Sequence, residues 1–159
     1  MGARRLKDKL LTKNIAISFG WSLIPILVGL YYAIVPLIMI AFAPFIFFRL
    51  MSNTIFFDLR DVSADSKFGV RTVPVVFGET RSHLIMSVFD LASACYVLAL
   101  VVFHIFPIFS VILLALPAYS LLYRWAARRP GANMSFLCDF VADGEFLFWG
   151  PLILFGKII

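Results

Sequence analysis

The chain has 159 residues, of which 62% are hydrophobic and only 14% charged, with a formal net charge of +5. Soluble domains carry about 25% charged residues, so this chain lacks the polar surface to cover a water-soluble globule, and the bilayer is its solvent. The positive charge does not point to nucleic acid, because the basic residues lie between apolar runs and form no basic face.

In chain order, residues 15–48 contain no charged residue. That run is too long for one membrane helix of about 20 residues and short for two. Pro36 divides it, predicting helices over 15–35 and 37–57, the second with Arg49 inside it. The basic, apolar N-terminus does not read as a secretory signal, since the apolar run is too long and no small-x-small site follows. Residues 83–123 hold Asp90 as their only formally charged side chain, and the cluster His104-Ile105-Phe106-Pro107 splits them into spans over 83–103 and 107–123. A last span over 136–156 carries Asp139, Asp143 and Glu145 in its first half. The expectation is a single all-α transmembrane domain over 1–159, a polytopic bundle of about five helices. The two cysteines, Cys95 and Cys138, sit in apolar surroundings without C-x-x-C spacing and mark neither a disulfide framework nor a zinc site.

Charge sets the expected topology. Arg4, Arg5, Lys7, Lys9 and Lys13 precede the first span; Arg60, Lys67, Arg71 and Arg81 separate the second from the third; Arg124, Arg128 and Arg129 separate the fourth from the fifth. The connections at 32–36 and 104–107 carry no Lys or Arg. Basic connections face the cytoplasm, so the N-terminus and a motif loop over 58–82 are expected there, in an integral protein of the cell or cytoplasmic membrane.

That loop holds the chemistry. Asp58, Asp61 and Asp65 recur at spacings of three and four, which places them on one face if the second helix continues through them. Oxygen ligands without His or Cys suit a hard cation such as Mg²⁺, which shares its coordination shell with substrate phosphates. Lys67 and Arg71 follow on the same side and are suited to the remaining phosphate charge. On spacing alone, a solvated loop whose Asp and Arg pair with one another explains the pattern equally well.

The segment DLRDVSADSKFGVRTVPVVFG resembles the second aspartate-rich motif of the UbiA prenyltransferase superfamily. Asp61 and Asp65 match its D-x-x-x-D; Lys67, Gly69, Arg71, Thr72 and Pro74 match its tail; Asp58 matches a more variable preceding position. The Lys13-Asn14 start of the first span is similar as well. The resemblance implies helices five to nine of a nine-helix fold, with Asp58, Asp61 and Asp65 as Mg²⁺ ligands and Lys67 and Arg71 as diphosphate-binding residues. Arg49 and Asn53 are expected behind those ligands, with Arg49 paired to Asp90 or to an aspartate beyond this chain. The activity implied is prenyl transfer from an isoprenyl diphosphate to an aromatic or other lipophilic acceptor, through Mg²⁺-assisted loss of diphosphate. The acidic start of the last helix resembles one common in the family and is assigned a structural or capping role. The family's first motif, Asn-x-x-x-Asp, finds no match: Asn14, Asn53 and Asn133 all lack an Asp four residues on. The chain is therefore expected to supply one wall of a cavity, with a separate N-terminal half as a partner. The alternative is a catalytically incomplete relative: a fragment, a split-enzyme subunit or a scaffold.

Overall fold

The computed structural model describes residues 10–34 and 36–158, and among these the chain is an all-α bundle with no strand. Arg4, Arg5, Lys7 and Lys9, which entered the topology argument, lie outside the described residues.

The first expected span is helical but bent: α1, Thr12–Ser22, is followed after Leu23 by α2, Ile24–Tyr31. Pro25 lies in the first turn of α2. It has no N–H to donate to the Trp21 carbonyl, so one straight helix over 15–35 is not available. Next comes α3, Leu37–Lys67, continuous through Pro44 and ten residues longer at its C-terminus than the expected 37–57. The hydrocarbon core is about 30 Å thick, and a helix rises ~1.5 Å per residue. Some 20 residues of α3 therefore cross it, and the rest, from about Asp58 on, stands in the headgroup zone. Consequently the expected loop 58–82 is mostly helix.

Helix α3 ends in a Schellman cap. The Gly69 N–H donates to the Ser66 carbonyl at 3.2 Å and the Val70 N–H to the Asp65 carbonyl at 2.8 Å. Gly69 has φ of +69°, a conformation that L side chains rarely adopt. The glycine of the motif is thus explained by helix termination. After residues 68–72 comes α4, Val73–Val102, with Pro74 in its first turn and a break at Gly78, whose φ is +77°. A 3₁₀ segment, Ile108–Leu114, leads into α5, Ala115–Ala127. The final helical stretch joins α6, Met134–Phe136, a π-helical segment, Leu137–Ala142, and α7, Asp143–Ile158.

Among the described residues, four helical stretches are long and apolar enough to cross a membrane: Thr12–Tyr31, Leu37–Lys67, Val73–Val102 and Ile108–Ala127. The acidic start of the last stretch explains why it does not join them. The outer surface is apolar, as a lipid-facing surface must be; Leu84, Val88 and Leu91 form one such exposed row on α4.

Inside, two apolar layers sandwich an ionic one. One layer centres on Phe45, Ile46, Val97, Leu113 and Leu116, the other on Met51, Ile55, Phe56, Met86 and Tyr123. Between them lies Arg49, fully buried. Its Nε and Nη2 donate to the two oxygens of Glu145 at 2.8 and 2.6 Å, and its Nη1 donates to Asp90. The other oxygen of Asp90 accepts from Arg124 at 2.6 Å and from Ser120 at 2.8 Å. Two guanidiniums and two carboxylates thus neutralise one another and tie α3, α4, α5 and α7 together. Intramembrane ionisable groups persist where such pairing is available. Arg124, read from the sequence as a charge in a cytoplasmic loop, is instead a buried member of this layer.

Candidate active site at the C-terminal end of α3

The three motif aspartates sit on the last three turns of α3 and have different surroundings. Asp58 is fully buried. Its Oδ1 accepts from Lys13 Nζ at 2.7 Å and its Oδ2 from Asn14 Nδ2 at 2.8 Å. Both oxygens are therefore engaged by α1, and Asp58 acts as the clasp between α1 and α3. Of the three expected metal ligands, Asp58 is the one whose oxygens are both engaged by a neighbouring helix. The Lys13-Asn14 pair, noted in the sequence only as a similarity, is thereby given a physical reason.

Asp61 is half-exposed and accepts from Arg60 Nε at 2.9 Å and Nη2 at 3.3 Å. The same guanidinium reaches across to Asp139 at 2.6 Å. Asp65 differs again: its Oδ2 and the Thr72 Oγ1 across the turn are both buried and lie close to one another without a well-aligned hydrogen bond, and the Lys13 ammonium is a nearby charge. Lys67, the last residue of α3, and Arg71, just before α4, are both exposed on this side of the bundle.

Arg49 and Asn53 do not stand behind these carboxylates. Arg49 precedes Asp61 by twelve residues, ~18 Å along a helix, and is consumed by Glu145 and Asp90; of the two pairings foreseen for it, the one with Asp90 is present. Asn53 donates to the Ala142 carbonyl at 3.2 Å, fastening α3 to the π-helical segment.

Below the aspartates opens a cavity of about 660 Å³ between α1, α2, α3 and α7. Its wall is largely apolar and aromatic, with Trp21, Phe42, Ile46, Phe146 and Trp149, and its polar groups are Asn53, Thr54 and Asp143. Thr54, Asp58, Asp61 and Asp65 recur at spacings of four, three and four, so one face of α3 runs from the cavity wall up to the carboxylates.

The donor set fits a hard divalent cation. Among the described residues no three His, Cys, Asp or Glu side chains converge to hold a metal by themselves. Mg²⁺ bound to a phosphate substrate needs only one or two carboxylates, the rest of its shell coming from phosphate and water. Asp65, half-buried beside Thr72, makes no salt bridge among the described residues and can supply one of these carboxylates. Asp61 keeps lone pairs beyond those that Arg60 takes, since an ionised carboxylate offers about four acceptor sites.

The fold and this site define a membrane-embedded helical protein with an acidic helix face over an apolar cavity. The chain belongs to the UbiA prenyltransferase family, whose model matches residues 4–149. Among curated proteins it is similar to diterpene cyclase eriG of Hericium erinaceus, 39% identical over 72 residues, a stretch that is 45% of this chain and 24% of that protein. The similarity thus spans about a quarter of the relative's length. No solved structure gives a significant match.

Sequence reasoning missed Glu145 and Arg124 as partners of the Arg49–Asp90 pair, and the separate position of Asp143. A signal for the last was available: Asp143 and Glu145 are two residues apart, so on a helix they point in nearly opposite directions.

Proposed function

We propose that the chain binds an isoprenyl diphosphate at the cytoplasmic end of α3 and takes part in its ionisation and the transfer of its prenyl group inside the membrane. The observation that carries this reading is the carboxylate face of α3, Asp61 with Asp65 one turn beyond it, above an aromatic cavity. Asp61 and Asp65 are the residues that would hold Mg²⁺. When bound, that ion supplies Lewis-acid neutralisation of the diphosphate leaving group. Lys67 and Arg71 take up the remaining phosphate charge from the exposed turn. Arg60 holds Asp61 in place and keeps Asp139 alongside it. The apolar wall accepts the prenyl chain and shields the allylic cation from water. The positive-inside rule, applied to the basic residues around this end, supports a cytoplasmic position and entry of the diphosphate from that side.

The lipophilic acceptor is an aromatic ring or another electron-rich group. The similarity to a protein named a diterpene cyclase favours a second reading in which a double bond of the same prenyl chain captures the cation. In either case a segment bearing an Asn-x-x-x-Asp motif completes the opposite wall.

The test is Mg²⁺-dependent binding of geranylgeranyl diphosphate to the chain in nanodiscs, alone and with a segment carrying that motif. Asp61→Asn and Asp65→Asn should each weaken binding at least tenfold. Equal binding by wild type and both variants overturns the site; stable insertion without any metal response favours a scaffold.

A further inference from the structure

Asp143 differs from most carboxylates of the bundle. Asp58, Asp61, Asp90, Asp139 and Glu145 each face a cation within salt-bridge distance. Asp143 is exposed, has no ion pair or hydrogen bond from its side chain among the described residues, and lines the cavity described above. The contrast with Glu145 is the informative one. Two residues further along the same helix, Glu145 is neutralised by both arms of Arg49, whereas Asp143 is turned to the cavity.

Position narrows its task. Arg60 fastens Asp139 to Asp61, which sets those two residues at one level. The Asn53 bond to the Ala142 carbonyl sets the start of α7 at the level of the Asn53–Thr54 turn of α3. Asp143 therefore lies one turn deeper than Asp139, beneath the carboxylates of the motif. The π-helical segment Leu137–Ala142 ends immediately before it; such segments alter the register of the following helix and are frequent at functional sites. Around it the wall is aromatic: Trp149 packs with its ring centroid 5.3 Å from that of Phe146 and 6.1 Å from that of Phe42. Aromatic faces attract cations, and Asp143, exposed at the wall of this cavity, offers a negative charge that no cation among the described residues pairs. Carboxylate and rings together make a receptor for a lipophilic cation.

We infer that Asp143 is the counter-charge for a positive charge carried on an apolar chain in this cavity. This rests on the proposed function, where that charge is the allylic cation left when the C–O bond to diphosphate breaks and both bonding electrons leave with the oxygen. Asp143 then acts on the reacting carbon, not on the diphosphate, and its role is separate from that of Asp61 and Asp65.

The probe is a prenyl amine, geranylgeranyl-dimethylamine, charged at neutral pH, compared with the neutral alcohol geranylgeraniol. Trp21 and Trp149 line the cavity, so quenching of tryptophan fluorescence in phosphatidylcholine nanodiscs reports both. The amine should bind wild type about tenfold tighter than the alcohol, equivalent to ~1.4 kcal/mol. Asp143→Asn should remove that preference and leave alcohol binding intact, which also shows that the cavity is folded. Asp143→Glu should retain the preference, and Asp61→Asn should leave it unchanged. An Asp143→Asn variant that still prefers the amine overturns the inference. A preference that depends on Asp143 without Mg²⁺-dependent diphosphate binding overturns the proposed function alone. Diphosphate binding without an amine preference overturns the role of Asp143 alone.

Discussion

Replacing Arg49 by Met is the sharpest test of the ionic layer. The guanidinium makes two charge-assisted bonds to Glu145, at 2.8 and 2.6 Å, and one to Asp90. In Arg49→Met, Asp90 keeps Arg124 at 2.6 Å and Ser120 at 2.8 Å. Glu145, which is fully buried, loses its only salt-bridge partner among the described residues. An uncompensated buried charge of this kind typically costs about 3–5 kcal/mol. By contrast, an ordinary interhelical hydrogen bond in a membrane averages about 0.6 kcal/mol. The loss should therefore exceed the hydrogen-bond value severalfold. Removing the orphaned charge as well, in Arg49→Met with Glu145→Leu, leaves Asp90 and Arg124 as a neutral pair. That double variant should return to within about 1 kcal/mol of wild type, because apolar replacement of a buried pair is often neutral. Reversible unfolding in mixed micelles, run as a double-mutant cycle, reads both numbers. A single variant that loses less than about 1 kcal/mol, or a double variant as unstable as the sum of the singles, refutes the assignment of Glu145 as the charge that Arg49 neutralises.

Other variants separate scaffold from site. Asp58→Ala leaves Asn14, 1% exposed, without its acceptor, while Lys13, with a side chain 40% exposed, can turn to water. Thermal unfolding should show a loss of about 1–3 kcal/mol, with Mg²⁺-dependent diphosphate affinity changed less than threefold, the opposite of Asp61→Asn. An equal loss of affinity in the two would return Asp58 to the metal site. Gly78→Ala adds a methyl group that meets nothing within 4 Å but must hold φ near +77°. The strain should lower stability by about 1–2 kcal/mol, and an unchanged melting temperature would show that α4 can straighten there. If Lys67 and Arg71 meet the diphosphate in the open, raising salt from 0.05 to 0.5 M should weaken its binding, since exposed charges are screened over about 10 Å at 0.1 M; salt-independent affinity would place the phosphates elsewhere.

The membrane class, the helical fold and the motif were all legible in the sequence, because each depends on local pattern. Apolar runs of sufficient length dictate spans whatever their neighbours do, and the Asp58–Asp61–Asp65 spacing puts three carboxylates on one face of any helix that contains them. The same local logic accounts for Gly69 as a helix terminator and Pro74 as a helix starter. It was weaker at the ends of elements, where α3 outran its expected stop because its polar last turns are helical without being membrane-buried. What only the tertiary structure decided was the partner of each charge. Residues 45 positions apart join Lys13 to Asp58, and 96 separate Arg49 from Glu145, distances at which sequence spacing carries no information about contact. Those pairings tie Asp58 to α1, neutralise Glu145 and leave Asp143 without an ion pair among the described residues at the cavity wall. The physical reason is that burial penalises every charge alike, and only the packing of helices determines which ones find a counter-charge within the protein and which must find it in a ligand.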